Sequence, residues 1–173
     1  PTGVEPCIKG GGRGMPWESE KAELPALLLA EVGSPVISLL AQPHRLEMRV
    51  TGLRRPLVYY PDVLLTVEES FLRLLAKQVP FGRAILEWRP DPTRRPIPRA
   101  LVVEVKDDND RRRNKPDYKE KLRLAREVYR MDGVSFMEIV RSTDIDCVNI
   151  RMVKEILLDK NTVVTPVAVG RVT

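Results

Sequence analysis

Two short motifs hold the residue types that could do hydrolytic chemistry here. Asp62 follows Pro61 inside an otherwise apolar stretch, and Glu104-Val105-Lys106 closes a valine-rich one. Side chains alternate along a strand, so Glu104 and Lys106 share one face while Val103 and Val105 pack on the other. Burying that acid and base without partners would cost several kcal/mol, so the strand end is expected to open onto a cleft. Proline inside a strand removes a ladder hydrogen bond and marks an edge or bulge, which puts the Asp62 carboxylate where a cation could sit. Mg²⁺ is a hard ion that takes oxygen ligands. Asp62, Glu104 and the Val105 carbonyl suit it, with Mn²⁺ as the alternative ion. Such an ion lowers the pKa of bound water and offsets charge on a phosphate. Lys106 would orient or help deprotonate the attacking water and stabilise the developing negative charge. A glutamate from an acidic helix start (Glu18, Glu20, Glu23) could complete a second metal position.

A lone Glu-x-Lys is by default a surface ion pair. That reading weakens here because Leu101, Val102, Val103 and Val105 describe a buried strand, because Pro-Asp lies upstream, and because the glutamate-rich segment precedes both. The single histidine, His44, removes triads with several His partners and His-rich zinc sites; it reads as a turn or surface residue. Cys7 and Cys147 lack metal-ligand spacing and read as reduced thiols of a cytoplasmic protein. Trp17 and Trp88 read as packing residues. No apolar run reaches membrane-spanning length, so no membrane partner is expected.

A net charge of +5 is compatible with nucleic-acid binding. Its distribution is more informative, with clusters at Arg54-Arg55, Arg94-Arg95 and Arg111-Arg112-Arg113. Each alone reads as a solvated turn. Arg111, Arg112 and Arg113 lie soon after the Glu-x-Lys strand and are assigned to phosphate contact, with Arg54 and Arg55 as the second assigned pair.

The elements that must position these residues are set by periodicity. Residues 1–17, rich in glycine, read as a flexible lead-in, and 18–160 as one domain. Ser19 is the expected N-cap of a helix over 20–31, with Pro25 tolerable only near its start. Residues 45–65 read as a hairpin, 67–78 as a helix, and 84–88 as a strand. A proline-rich loop over 89–98 precedes a central strand at 100–106. Next come a helix over 117–130, a strand over 134–140 and a helix over 144–158. Residues 161–173 read as a tail or the start of a further domain. The chain opens on proline, not methionine, and is expected to be a piece of something longer. The fold class expected is α/β, a mixed central sheet flanked by helices.

With these motifs in order, the sequence resembles the PD-(D/E)xK nuclease superfamily, and within it TnsA, the endonuclease subunit of heteromeric transposases. Gly12-Arg13-Gly14 to Trp17-Glu18-Ser19 is similar to that family's opening segment. Glu23, Leu27 to Glu31, Val36 to Ser38 and Gln42-Pro43 are similar to its first helix and the Gln-Pro segment after it. Tyr60-Pro61-Asp62 and Val103-Glu104-Val105-Lys106 come next, then Tyr118 to Tyr129, Gly133, Phe136 and Thr143-Asp144-Ile145. Each motif is weak alone; the ordered set over roughly residues 10–155 is specific.

The resemblance implies a restriction-endonuclease-like core. It implies Mg²⁺-dependent cleavage of the 5′ strand at double-stranded transposon ends, beside a DDE transposase and an AAA+ regulator, in a bacterial, nucleoid-associated setting. Carried over, Glu23, Asp62, Glu104 and Lys106 match the catalytic set, with Glu20 the runner-up on the helix. Gln42 and Pro43 match a motif read as structural. About 40 residues separate Asp62 from Glu104, so 67–98 is expected to hold an inserted helix and loop. A stand-alone restriction or repair nuclease, and a catalytically silent DNA-binding or assembly module of the same fold, are the alternatives.

Overall fold

The structure, a computed structural model, describes residues 2–111 and 115–159. The expected tail at 161–173, and the phosphate contacts assigned to Arg112 and Arg113, lie outside the described residues.

The first segment is not a flexible lead-in. Strands β1 (Gly3–Cys7) and β2 (Arg13–Trp17) form an antiparallel hairpin in which Gly3 faces Trp17 and Cys7 faces Arg13. The glycines that suggested flexibility make its turn: Gly11 and Gly12 stand at φ +73° and +74°, where a Cβ would be strained. Cys7 and Met15 reach the main core. The buried Glu31 carboxylate accepts the backbone N–H groups of Ile8 (2.9 Å) and Lys9 (3.1 Å), which fastens the turn to the first helix.

That helix, α1, spans Glu23–Val32. It starts later than expected, because Ala22 holds the N-cap position. Ser19 acts one turn earlier, its hydroxyl accepting the Ala22 N–H at 3.2 Å. Pro25 therefore falls in the first turn, where no N–H is needed. Strand β3 (Val36–Ala41) comes next.

The expected 45–65 hairpin divides between two sheets. β4 (Leu46–Met48) pairs with β5 (Leu57–Tyr59), whereas β6 (Val63–Glu68) pairs with β3. Pro61 stands at the break, since it has no N–H to continue a ladder. Two helices occupy the long insert, α2 (Glu69–Leu75) and α3 (Phe81–Glu87). The strand expected at 84–88 is thus incorrect. Phe81, Ala84 and Ile85 are buried at helical spacing, and the first N–H of α3 is received by Asp144 Oδ1 at 3.2 Å, a partner remote in sequence.

β7 (Pro98–Lys106), α4 (Pro116–Met131) and β8 (Ser135–Val140) form a β-α-β unit. Gly133, at φ +70°, turns the chain out of α4. A single π-helical turn at Arg141–Ile145 takes the place of the expected start of the last helix, and α5 runs from Ile150 to Asp159.

The central sheet is mixed and ordered β3-β6-β7-β8, antiparallel except for the parallel β7–β8 pair. Leu101, Val103 and Val105 face a core shared with Leu27 and Leu29 of α1, Phe71 of α2 and Phe81 of α3. Val102 faces the other side, against Met48, Tyr59 and the α4 residues Leu122, Ala125 and Tyr129. The expected α/β class with a mixed sheet flanked by helices is observed. Among the described residues no helix is long and apolar enough to cross a membrane.

Candidate active site

The site forms where the β6–β7 ladder gives out. Val63 faces Val103, and one residue earlier the ladder meets Pro61-Asp62. There the Asp62 side chain takes over: its Oδ2 accepts the Val105 N–H at 2.7 Å. This bond holds the carboxylate beside the Glu-x-Lys face of β7.

Glu104 and Lys106 are more deeply placed than a strand end on a cleft suggests, at 3% and 2% exposed. Burial of this pair is offset by partners that the sequence did not reveal. The Tyr59 hydroxyl donates to Glu104 Oε2 at 2.5 Å, and the Tyr118 hydroxyl donates to Glu104 Oε1 at 2.5 Å. The Lys106 ammonium reaches both Glu104 Oε1 and the Tyr118 oxygen, and lies 4.5 Å from the centre of the Tyr118 ring. A buried ion pair becomes tolerable when its spare donors and acceptors are met in this way.

The pair lines a cleft of about 370 Å³ together with Asp62, Glu23, Gln42 and Tyr60. Glu23 is the first residue of α1, and its Oε2 accepts the Glu18 N–H at 2.7 Å. Glu20 is exposed and does not line the cleft, so Glu23 is the helix carboxylate at this site. Gln42 sits at φ 45° with its N–H on the Asp62 carbonyl at 2.8 Å, so the Gln-Pro motif braces the Asp62 backbone.

Negative charge is crowded here. Burial, and then the Glu104 charge, push Asp62 up to about 8. Burial also raises Glu23, which feels Glu18 and Glu104. Burial and the Glu104 carboxylate hold the Tyr59 hydroxyl far above the usual range, so it remains a donor. Lone pairs are left over. Glu104 Oε1 is filled by two donors, but Oε2 receives one, and Asp62 and Glu23 are each engaged through one oxygen. Among the described residues, no three His, Cys, Asp or Glu side chains stand close enough to enclose one ion.

Of the arginines assigned to nucleic acid, Arg111 is exposed in the β7–α4 loop, and Arg54 and Arg55 are exposed in the β4–β5 loop; none lines the cleft. Tyr59, Tyr118 and Lys121 also line the cleft, and sequence reasoning gave them no role; Glu18, offered as an acidic neighbour of the site, and Gln42, read as structural, stand there too. A signal existed for two of them: Tyr118 and Lys121 share the helical face of Leu122 and Ala125. His44 is exposed as expected and bonds the Tyr129 hydroxyl at 2.7 Å. Trp17 packs on the core, and Trp88 does so while its indole N–H bonds Ser70 at 2.9 Å. No family model matches the chain, and no match is found among curated proteins.

Proposed function

We propose that this chain is a divalent-cation-dependent DNA endonuclease built on a restriction-endonuclease-like core. The observation that carries the reading is the meeting of Asp62 with Glu104 and Lys106 at one ladder end. Asp62 is fastened to Val105, and its carboxylate is crowded by Glu104 and Glu23. Carboxylates forced together in this way favour a cation between them. Mg²⁺ binds through one or two carboxylates and retains several waters, so two carboxylates and a carbonyl suffice for it. Asp62 and Glu104 would hold the ion, with the Val105 carbonyl as a further oxygen and Glu23 as the edge of a second position. When bound, the ion would supply an activated water and offset phosphate charge.

The chain's own residues do the remainder. Lys106 keeps a fixed positive charge at the cleft floor, where a phosphate would gain charge during attack. Tyr118 and Tyr59 hold Glu104 in one orientation, so that its free lone pair is not lost to rotation. The TnsA resemblance narrows the reading to 5′-strand cleavage at transposon ends with a DDE transposase and an AAA+ regulator.

One observation favours a second reading. Glu104 already has three donors without any ion, as it would in a silent assembly module of the same fold. Cleavage assays on naked plasmid and on transposon-end DNA with the transposase separate the readings. Cutting confined to transposon ends with the transposase present is expected. Nicking of naked DNA by the chain alone would instead mark a stand-alone nuclease, and no cutting in any arm a silent module.

A further inference from the structure

Between Glu47 and Asp62 the chain has no acidic residue, but it has Arg49, Arg54 and Arg55. All three are exposed on the loop that joins β4 to β5, and that loop encloses a hollow of about 580 Å³ with its own residues. Among the described residues none of the three forms an ion pair. On α4, by contrast, Arg123, Arg126 and Arg130 pair with Glu120, Glu138 and Glu127. Unpaired guanidinium groups, grouped on a turn and free to fork onto oxyanions, suit phosphates.

The base of this hairpin is packed and its tip is exposed. Met48 and Tyr59 are buried against α4. The other end of β5 enters the cleft, where Tyr59 bonds Glu104 and Asp62 lies three residues later. A strand rises about 3.3 Å per residue, so the tip begins roughly 10 Å beyond Tyr59. That is close to the roughly 12 Å width of the B-DNA major groove. A duplex with one strand in the cleft would then present phosphates of the other strand to the tip.

We propose that the β4–β5 hairpin is a DNA-gripping arm in which Arg49, Arg54 and Arg55 hold duplex phosphates about one groove width from the cleft. The inference rests on the nuclease reading for the position of the bound strand, and it adds Arg49 and the geometry of the grip.

The test is duplex binding by the whole chain without divalent cation, read by anisotropy of a labelled random-sequence DNA over a salt series. Arg49→Ala/Arg54→Ala/Arg55→Ala is expected to weaken binding at least about tenfold at low salt and to reduce the log–log salt slope by about 2.7, or about 0.9 per lost contact. The triple lysine variant should regain most of that slope. Arg126→Ala/Arg130→Ala, which removes paired charges, should change the slope by less than about 1. An unchanged slope in the alanine triple, or an equal loss in the α4 control, overturns the arm. Tighter binding to phosphatidylserine-containing vesicles than to the duplex also overturns it.

Cleavage is scored separately in Mg²⁺. Cleavage by the wild type with an unchanged slope in the triple removes the arm and leaves the nuclease. Binding lost in the triple with no cleavage by the wild type removes the nuclease and leaves the arm. A wild type that binds no duplex removes both.

Discussion

Lys106 and Glu104 depend on one another through Tyr59 and Tyr118, and this gives truncation at the site a cost beyond chemistry. Lys106→Ala leaves Glu104 buried with its charge uncompensated, so unfolding free energy should fall by about 3 kcal/mol in addition to any loss of cleavage. Tyr118→Phe keeps the ion pair but removes a bond that joins two charged groups. Denaturant unfolding should show a loss of about 2 kcal/mol, and the turnover rate should fall more than the affinity for DNA. Asp62 gives the sign of the pH dependence. Its carboxyl is raised to about 8 in the fold, from near 4 when unfolded. The protonated form is therefore favoured by folding. The stability it contributes is fully present below about pH 4 and is lost as pH rises through about 8. In the cation-free protein Asp62→Asn should remove that decline, because the amide oxygen still accepts the Val105 N–H and carries no charge to titrate. A decline of equal size in the variant would show that another group causes it.

At the scale of elements, Asp144 is the residue to remove. Its two carboxylate oxygens receive the N–H groups of Phe81 and Val140, at 3.2 and 2.9 Å, so one side chain joins the start of α3 to the end of β8. Asp144→Ala should cost about 2 kcal/mol in thermal unfolding while leaving cleavage intact at temperatures where the fold persists. The same residue shows how much of the fold is legible in the sequence. Strand β7 and helix α4 are legible because valines in one run and apolar residues at helical spacing in the other are local signals. Helix α3 reads as a strand because Pro80 at its N-cap offers no capping side chain, and the acceptor for its first N–H is Asp144, far along the chain. The β1–β2 hairpin reads as a loose segment because glycines at positive φ look the same in sequence whether they loosen a segment or turn it. Pro61 is legible as a break, but not as the point where the chain passes from one sheet to another. The site itself is legible only in its motifs. Asp62, Glu104 and Lys106 can be named from spacing, and Glu23 from the resemblance, whereas the tyrosines that satisfy Glu104 arrive from β5 and α4 through tertiary packing.

For the whole molecule, the division of the sheet into two faces explains how the site is both held and reached. Helices α1 to α3 and α5 fill one face with the main core; α4 and the small hairpin cover the other. The cleft opens at the rim between them, next to the N-terminal ends of α1 and α4, where Glu23 and Tyr118 stand. The net charge of +5 is distributed unevenly: the cleft is lined by Glu18, Glu23, Asp62 and Glu104, while unpaired arginines stand on the hairpin tip. An acidic centre within a basic surround suits a cation at the site and a polyanion across it. The central claim is best tested by conversion of supercoiled plasmid to nicked or linear DNA, with transposase and transposon ends supplied, comparing wild type with Asp62→Asn. The account predicts Mg²⁺- or Mn²⁺-dependent cutting by the wild type and none by the variant, although the variant unfolds at an equal or higher temperature. Equal cutting by both proteins, or cutting that persists in excess chelator, would contradict it.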